Sequence, residues 1–383
     1  MTKYNGELYP ENYAYKYPKA GEKNAVVTIH VYDLLSGNTI TMDTGKETDQ
    51  YIPRIKWSKE NDKLAIIREN RLQNHIEILI NDANTGKSNV IYSEKNDRYI
   101  ERIDDSYMTM TTDGQYFIIN SEKDGWNHLY RYDMSGKFIN QITKGSWDVT
   151  KFMGIDDKSN MVYYQSAEES PLNRAVYSIK MDGTKKTKLS EKKGSNRANF
   201  SKGFKYYINY YSNANTPTYI TLHNKKGKLI RVLEDNKKLK ETVKNYTFSD
   251  VEFLSINTPS SEWDLNAYMI KPKDFDPTKK YPLFMYLYGG PGSQSAKDSW
   301  SRGRTYFQFL AQQGYIVVCV DNRGTGARGE EFKKLTYGEL GKYETIDQIE
   351  AAEYFSSLDY IDEKRTGIFG WSYGGFMSTS CLF

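Results

Sequence analysis

Gly370-Trp371-Ser372-Tyr373-Gly374-Gly375, close to the C-terminal end of this 383-residue chain, decides how the rest is read. It has the Gly-x-Ser-x-Gly pattern of a nucleophile elbow, in which a serine rides a sharp strand-to-helix turn with its hydroxyl exposed. Gly370 and Gly374 flank the serine because the strand and helix backbones crowd there and a Cβ would clash. The pattern is short, so its surroundings must agree with it. Residues 365–369 read as a short buried strand, and 376–382 suit the helix that should follow. Upstream, 281–288 and 315–320 are nearly continuous apolar runs, the composition of parallel strands covered on both faces. Between them, 300–313 is a predicted helix stopped by Gly314. A second predicted helix, 344–358, carries Ile346, Ile349, Ala352, Phe355 and Leu358 at helical spacing. Strand, helix, strand, helix, strand and a glycine-flanked serine is the order of an α/β-hydrolase.

Composition sets outer limits. A length of 383 residues allows two or three domains. A formal charge of +4, with both signs interspersed, leaves no footprint for nucleic acid. No apolar run approaches the roughly 20 residues that span a bilayer, and residues 1–5 contain no signal-peptide core. The 33 tyrosines suit solvent-facing β-structure. Cys319 and Cys381 read as core residues, and no histidine-carboxylate cluster calls for a metal or other cofactor.

Before residue 250 the sequence repeats. Five segments share a strand, a polar turn with glycine, and a second strand, with glycines at 37, 86, 136, 183 and 227. A second hairpin type is interleaved at 57–66, 111–118, 155–163 and 200–207. Two hairpins per period of about 45–50 residues make a four-stranded unit, a β-propeller blade. The expected architecture is a partial β-propeller of about 4–5 blades over 1–250, followed over 251–383 by the N-terminal part of an α/β-hydrolase.

This arrangement resembles the prolyl oligopeptidase family, and its details are similar to the dipeptidyl peptidase IV branch in a bacterial form. The Gly-Trp-Ser-Tyr-Gly-Gly elbow and Leu287-Tyr288-Gly289-Gly290-Pro291-Gly292-Ser293-Gln294 carry the resemblance most specifically. Asp321 to Gly326, Leu340 to Ala352, Tyr17 to Gly21 and Thr143 to Val149 also resemble family segments. The resemblance implies a serine peptidase that releases Xaa-Pro or Xaa-Ala dipeptides from peptide amino termini, behind a propeller that excludes folded proteins. It also implies a periplasmic or envelope location, and homodimer contacts through the segment 4–17.

A serine hydroxyl needs a base to take its proton, and the tetrahedral oxyanion needs preorganised donors. Ser372 is the expected nucleophile, and the backbone N–H of Tyr373 is one donor. The resemblance supplies the Tyr288 hydroxyl as the other, and places Trp371 and Tyr373 beside the substrate pocket. The base is missing. In this fold the acid and histidine follow the serine, but His30, His75, His128 and His223 all precede it. The chain is therefore expected to be an internal fragment, nearly inert alone, with its amino-terminus-gripping acids upstream and its triad Asp and His downstream. Alternatives are another propeller-capped serine peptidase (tripeptidyl, acylaminoacyl or oligopeptidase) and a non-catalytic propeller that binds partners.

Overall fold

The computed structural model describes residues 1–59, 62–101, 103–301 and 303–383, and the chain divides into two compact units, Met1–Asp104 and Asp105–Phe383. In the first unit, His30–Tyr32 pairs with Thr39–Thr41, and Gln50–Trp57, Lys63–Asn70, His75–Asp82 and Ser88–Lys95 form an antiparallel four-stranded sheet in chain order. Leu64 and Ile66 of that sheet bury against Met42, Ile40 and Val31.

The second unit opens with three more four-stranded antiparallel sheets. Their strands are Met108–Met110, Tyr116–Ser121, His128–Asp133 and Phe138–Gln141; then Val149–Asp156, Met161–Ser166, Ala175–Lys180 and Thr187–Lys188; then Ser195–Phe200, Tyr206–Asn213, Thr216–Asn224 and Leu229–Glu234. The repeat seen in the sequence is the turn between the last two strands of each sheet. Its glycines all have φ between 72° and 90°, which a side chain would resist. An Asp or Asn one to four residues before each glycine accepts backbone N–H groups across the turn: Asp33 from Ser36, Asp82 from Thr85, Asp133 from Ser135, Asp182 from Thr184 and Asn224 from Lys226. Local turn chemistry therefore sets the period. Aromatic strands fill the cores, with Trp147, Tyr164 and Tyr177 stacked in sequence.

A five-stranded mixed sheet follows, in the order Val251–Ile256, Leu265–Ile270, Ile316–Asp321, Tyr281–Leu287, Ile361–Gly370. Tyr281–Leu287 runs parallel to both its neighbours, whereas the first two strands join antiparallel. Ile316–Asp321 is buried along its whole length. One face packs Phe307 and Ala311 of helix Arg304–Gln312, and the other packs Phe332, Ala351 and Phe355 of helices Gly329–Lys334 and Lys342–Ser356. Helices on both faces give the α/β-hydrolase start.

One expectation needs correction. The strand read as short and buried at 365–369 is Ile361–Gly370, ten residues long, and most of it is exposed. It has a partner on one side only, so it forms the sheet edge.

Two polar junctions join the antiparallel sheets of this unit to its α/β part. Glu122 accepts from Lys333 (2.5 Å) and lies 3.2 Å from Lys334, with all three side chains buried. The loop that follows Tyr288 is held by Gln294 Nε2 donating to the Pro171 carbonyl (2.7 Å), Asp298 N–H donating to the Leu172 carbonyl (2.9 Å), and Ala214 N–H donating to Asp298 Oδ1 (2.7 Å).

Candidate active site

Leu287 lies opposite Gly370 in the parallel register, so Tyr288 and Trp371-Ser372 leave adjacent strands at the same C-terminal edge. Ligands of open α/β sheets bind at such edges. Ser372 sits between strand Ile361–Gly370 and helix Tyr373–Leu382 at φ 56° and ψ −116°. Few residues other than glycine occupy this region, and a side chain there is strained. The turn is held by Gly374 N–H donating to the Trp371 carbonyl (2.9 Å) and by Gly375 and Phe376 N–H groups donating to the Ser372 carbonyl (2.9 and 3.1 Å).

The flanking glycines explain how the turn closes. A Cβ on Gly370 would stand 2.3 Å from the Gly374 carbonyl oxygen, and one on Gly374 would stand 2.3 Å from the Leu287 oxygen. Both obstacles are backbone, so no rotamer change relieves them. Tyr373 opens the helix, where the first N–H groups have no partner within the helix and are available to an anion. The Tyr288 and Tyr373 rings lie 6.2 Å apart, tilted by 44°. A Cβ on Gly290 would come within 2.9 Å of the Tyr288 ring and 3.3 Å of the Tyr373 ring, so Gly290 leaves room for both.

The structure therefore brings together Ser372, the Tyr373 N–H and Tyr288. The Tyr373 side chain points elsewhere: its hydroxyl donates to Glu344 Oε1 at 2.6 Å. Burial, followed by this bond to Glu344, pushes the Tyr373 phenol well above its ordinary value. Trp371 is 78 % exposed and lines a cavity of about 550 Å³ with Tyr286, Trp300, Tyr306 and Phe369.

Several buried supports had no sequence reading. Glu344 also accepts the Gly341 N–H (3.0 Å), so one carboxylate ties the elbow helix to the start of Lys342–Ser356. Asn322 donates to the Gly289 carbonyl (3.1 Å), while Gln348 donates to Asn322 Oδ1 (3.1 Å), fixing the turn after Tyr288. Arg323 and Asp347 form a buried pair at 2.6 Å, with Arg323 over the Tyr343 ring. Desolvation raises the Asp347 carboxyl, against the pull of Arg323. The glutamate three residues after Gly341 was the one available signal, since that spacing caps helices.

The four histidines hydrogen-bond locally. His128 is buried between Thr143 Oγ1 and the Gly145 carbonyl (both 2.9 Å), and His223 reaches Gly227 O (2.9 Å) and Thr221 Oγ1 (2.8 Å). His30 meets Thr28, and His75 meets Ser93. Among the described residues, no group of three or more His, Cys, Asp or Glu is placed to hold a metal ion, and no helix is long and apolar enough to cross a membrane.

Comparison with known proteins completes the description. Residues 1–218 match the family described as the dipeptidyl peptidase IV N-terminal region, and residues 300–383 match the prolyl oligopeptidase family. The crystal structure of Porphyromonas gingivalis dipeptidyl peptidase 4 is 46% identical and superposes with a TM-score of 0.93, covering 100% of this chain and 54% of that one. A probable dipeptidyl-aminopeptidase B of Botryotinia fuckeliana and the dipeptidyl peptidase 4 of Trichophyton equinum are each 32% identical over 98% of this chain, which spans 42% and 49% of their lengths. The chain thus spans about half the length of the curated relatives it matches.

Proposed function

The chain belongs to the dipeptidyl peptidase IV branch of the prolyl oligopeptidase family, and from this premise we propose that Ser372 is the nucleophile of a peptidase that releases dipeptides from peptide amino termini. Its hydroxyl attacks the carbonyl carbon of the second residue, the amide C–N bond breaks with the serine proton passing to the departing amine, and water then hydrolyses the ester to free the dipeptide and the serine. The Tyr373 N–H and the Tyr288 phenol hold the oxyanion, a contribution typically worth about 100- to 1,000-fold in turnover per donor. A preference for proline or alanine before the scissile bond is what the resemblance to this branch implies. The four histidines are bonded locally within the antiparallel sheets, so none of them is assigned as the proton acceptor.

The observation that carries this reading is the strained Ser372 backbone, clamped by two glycines whose neighbours are backbone atoms. Loss of function would leave nothing to maintain such strain. The recurring four-stranded sheets support a propeller of which about 4–5 blades lie here, with the α/β-hydrolase beginning at residue 251. The exposed tyrosines at 4, 9, 13 and 15 support a homodimer contact through that segment.

The test is turnover of a Xaa-Pro chromogenic substrate by the full-length gene product, with and without Ser372→Ala, alongside labelling by a fluorophosphonate probe. Loss of both in the variant is expected. Unchanged turnover with alanine at 372 would end the proposal.

A further inference from the structure

Two charged side chains of the second unit each leave a buried atom unanswered. Arg131 Nε and Asp157 Oδ1 are closed to solvent, and neither has a hydrogen-bond partner among the described residues. A donor or acceptor left in this state is costly, the more so when it is charged. Both residues line one cleft of about 530 Å³, between the sheet containing Tyr116–Ser121 and the sheet containing Met161–Ser166. Small-molecule pockets span roughly 300–1,000 Å³, so the cleft has room for a ligand.

Its lining is fixed before any ligand arrives. The Arg131 guanidinium lies over the Tyr116 ring at 5.0 Å, a contact that holds it in place. Asp157 accepts the Thr112 N–H through its other oxygen (3.2 Å). Two more acids of the lining are clamped by their own turns: Asp113 accepts from the Gln115 N–H (3.0 Å) and Asp182 from the Thr184 N–H (2.8 Å). Thr184, with Lys180 and Arg131 behind it, holds the Asp182 carboxyl below its usual range. Lys158 and Lys180 complete the charged lining, so three acids face three bases. The polar junctions to the α/β part are at the other side, since Glu122 and Pro171 come after the far ends of Tyr116–Ser121 and Met161–Ser166. Five steps along a strand, at about 3.4 Å each, separate the two sides by roughly 17 Å.

We propose that this cleft binds a neutral saccharide of one or two rings. Three carboxylates against three cations leave no net charge to attract an ion, and an ionic ligand meets as much repulsion as attraction. A flat apolar ligand would strip water from these groups and put nothing in its place. A hydroxyl donates and accepts at once, so neighbouring hydroxyls of a sugar ring answer Asp157 Oδ1 and Arg131 Nε together. The turn bonds and the Tyr116 ring have already ordered the charged groups, so binding loses little freedom in the site. The site stands independently of the serine chemistry, and its test does not involve turnover.

Saturation-transfer NMR titration of the 383-residue chain would use glucose, maltose and cellobiose as neutral probes, with glucosamine and glucuronate as their charged counterparts. Saturable binding of at least one neutral sugar is expected, at least fivefold tighter than either charged sugar. Asp157→Asn, which puts a donor where the acceptor stood, and Arg131→Gln should each weaken the neutral sugar at least tenfold, with melting curves showing that both variants are folded. A wild-type chain that binds none of the three neutral sugars would overturn the proposal, because water alone then answers the two atoms. So would binding of glucosamine or glucuronate within fivefold of the neutral sugar, a comparison that needs no variant. A folded variant of either kind that binds the neutral sugar as well as wild type would overturn it too.

Discussion

Replacing Ser372 with glycine should stabilise the second unit, whereas alanine should not. At φ 56° and ψ −116°, a side chain costs roughly 1–3 kcal/mol. Glycine removes that cost but gives the unfolded chain more freedom, which offsets roughly 0.5–1 kcal/mol. The net gain is about 0–2.5 kcal/mol, centred near 1, a rise of a few degrees in melting temperature for a unit of this size. Alanine keeps the Cβ, and therefore the strain, so it should stay within about 0.5 kcal/mol of wild type. The strain persists because the turn is over-determined: its carbonyls are bonded at Trp371 and Ser372, and the backbones around Gly370 and Gly374 are in contact. Urea titration followed by tryptophan fluorescence, with calorimetric melting as a second probe, measures the difference between the two variants. Both should lose fluorophosphonate labelling, so stability and reactivity part company at one residue. A glycine variant no more stable than the alanine variant would show that the turn is relaxed and would remove the main physical support for a functional elbow.

Three further outcomes follow from the packing. Gly374→Ala places a Cβ 2.3 Å from the Leu287 oxygen and 3.1 Å from the Tyr288 Cα, so it should cost about 1–3 kcal/mol and slow labelling of Ser372 in the full-length protein, as read by melting and by probe kinetics. Glu122→Gln leaves Lys333 and Lys334 buried beside a neutral amide; although Lys334 keeps Glu330, a loss of about 3 kcal/mol is expected in denaturant titration. Burial raises the Asp321 carboxyl to about 6, against N–H donors from Ser295 and Ala296. Its folded value lies above its unfolded one, so the stability it contributes is complete below pH 4 and is lost as pH rises through 6. Asp321→Asn cannot ionise, and its stability relative to wild type should improve between pH 4 and pH 7; a flat difference would refute the burial argument.

Much of the fold was legible because its signals are local. An Asp or Asn followed within four residues by a glycine with positive φ closes the last turn of each antiparallel sheet, so the signal fits in one short window of sequence. The elbow is equally local, since both glycines and the serine fall within five residues. The pair Val251–Ile256 and Leu265–Ile270 carries no such signal: it joins the sheet antiparallel, ahead of the apolar parallel runs. Residues 365–369 read as a short buried strand, but burial depends on neighbours, and Ile361–Gly370 has one.

The polar supports were illegible for a related reason. Glu344 and Tyr373 are 29 residues apart, Asn322 and Gly289 are 33 apart, and Glu122 and Lys333 are 211 apart. Spacing rules reach about one helical turn or one hairpin, so they name the serine and leave out what holds it. Glu69 shows the same limit from the other side. In the sequence it stands beside Arg68. The register separates them: Arg68 meets Glu77 across the sheet, whereas Glu69 faces Tyr51 and Ile76. A strand places successive side chains on opposite faces, so adjacent charges in the sequence meet different environments.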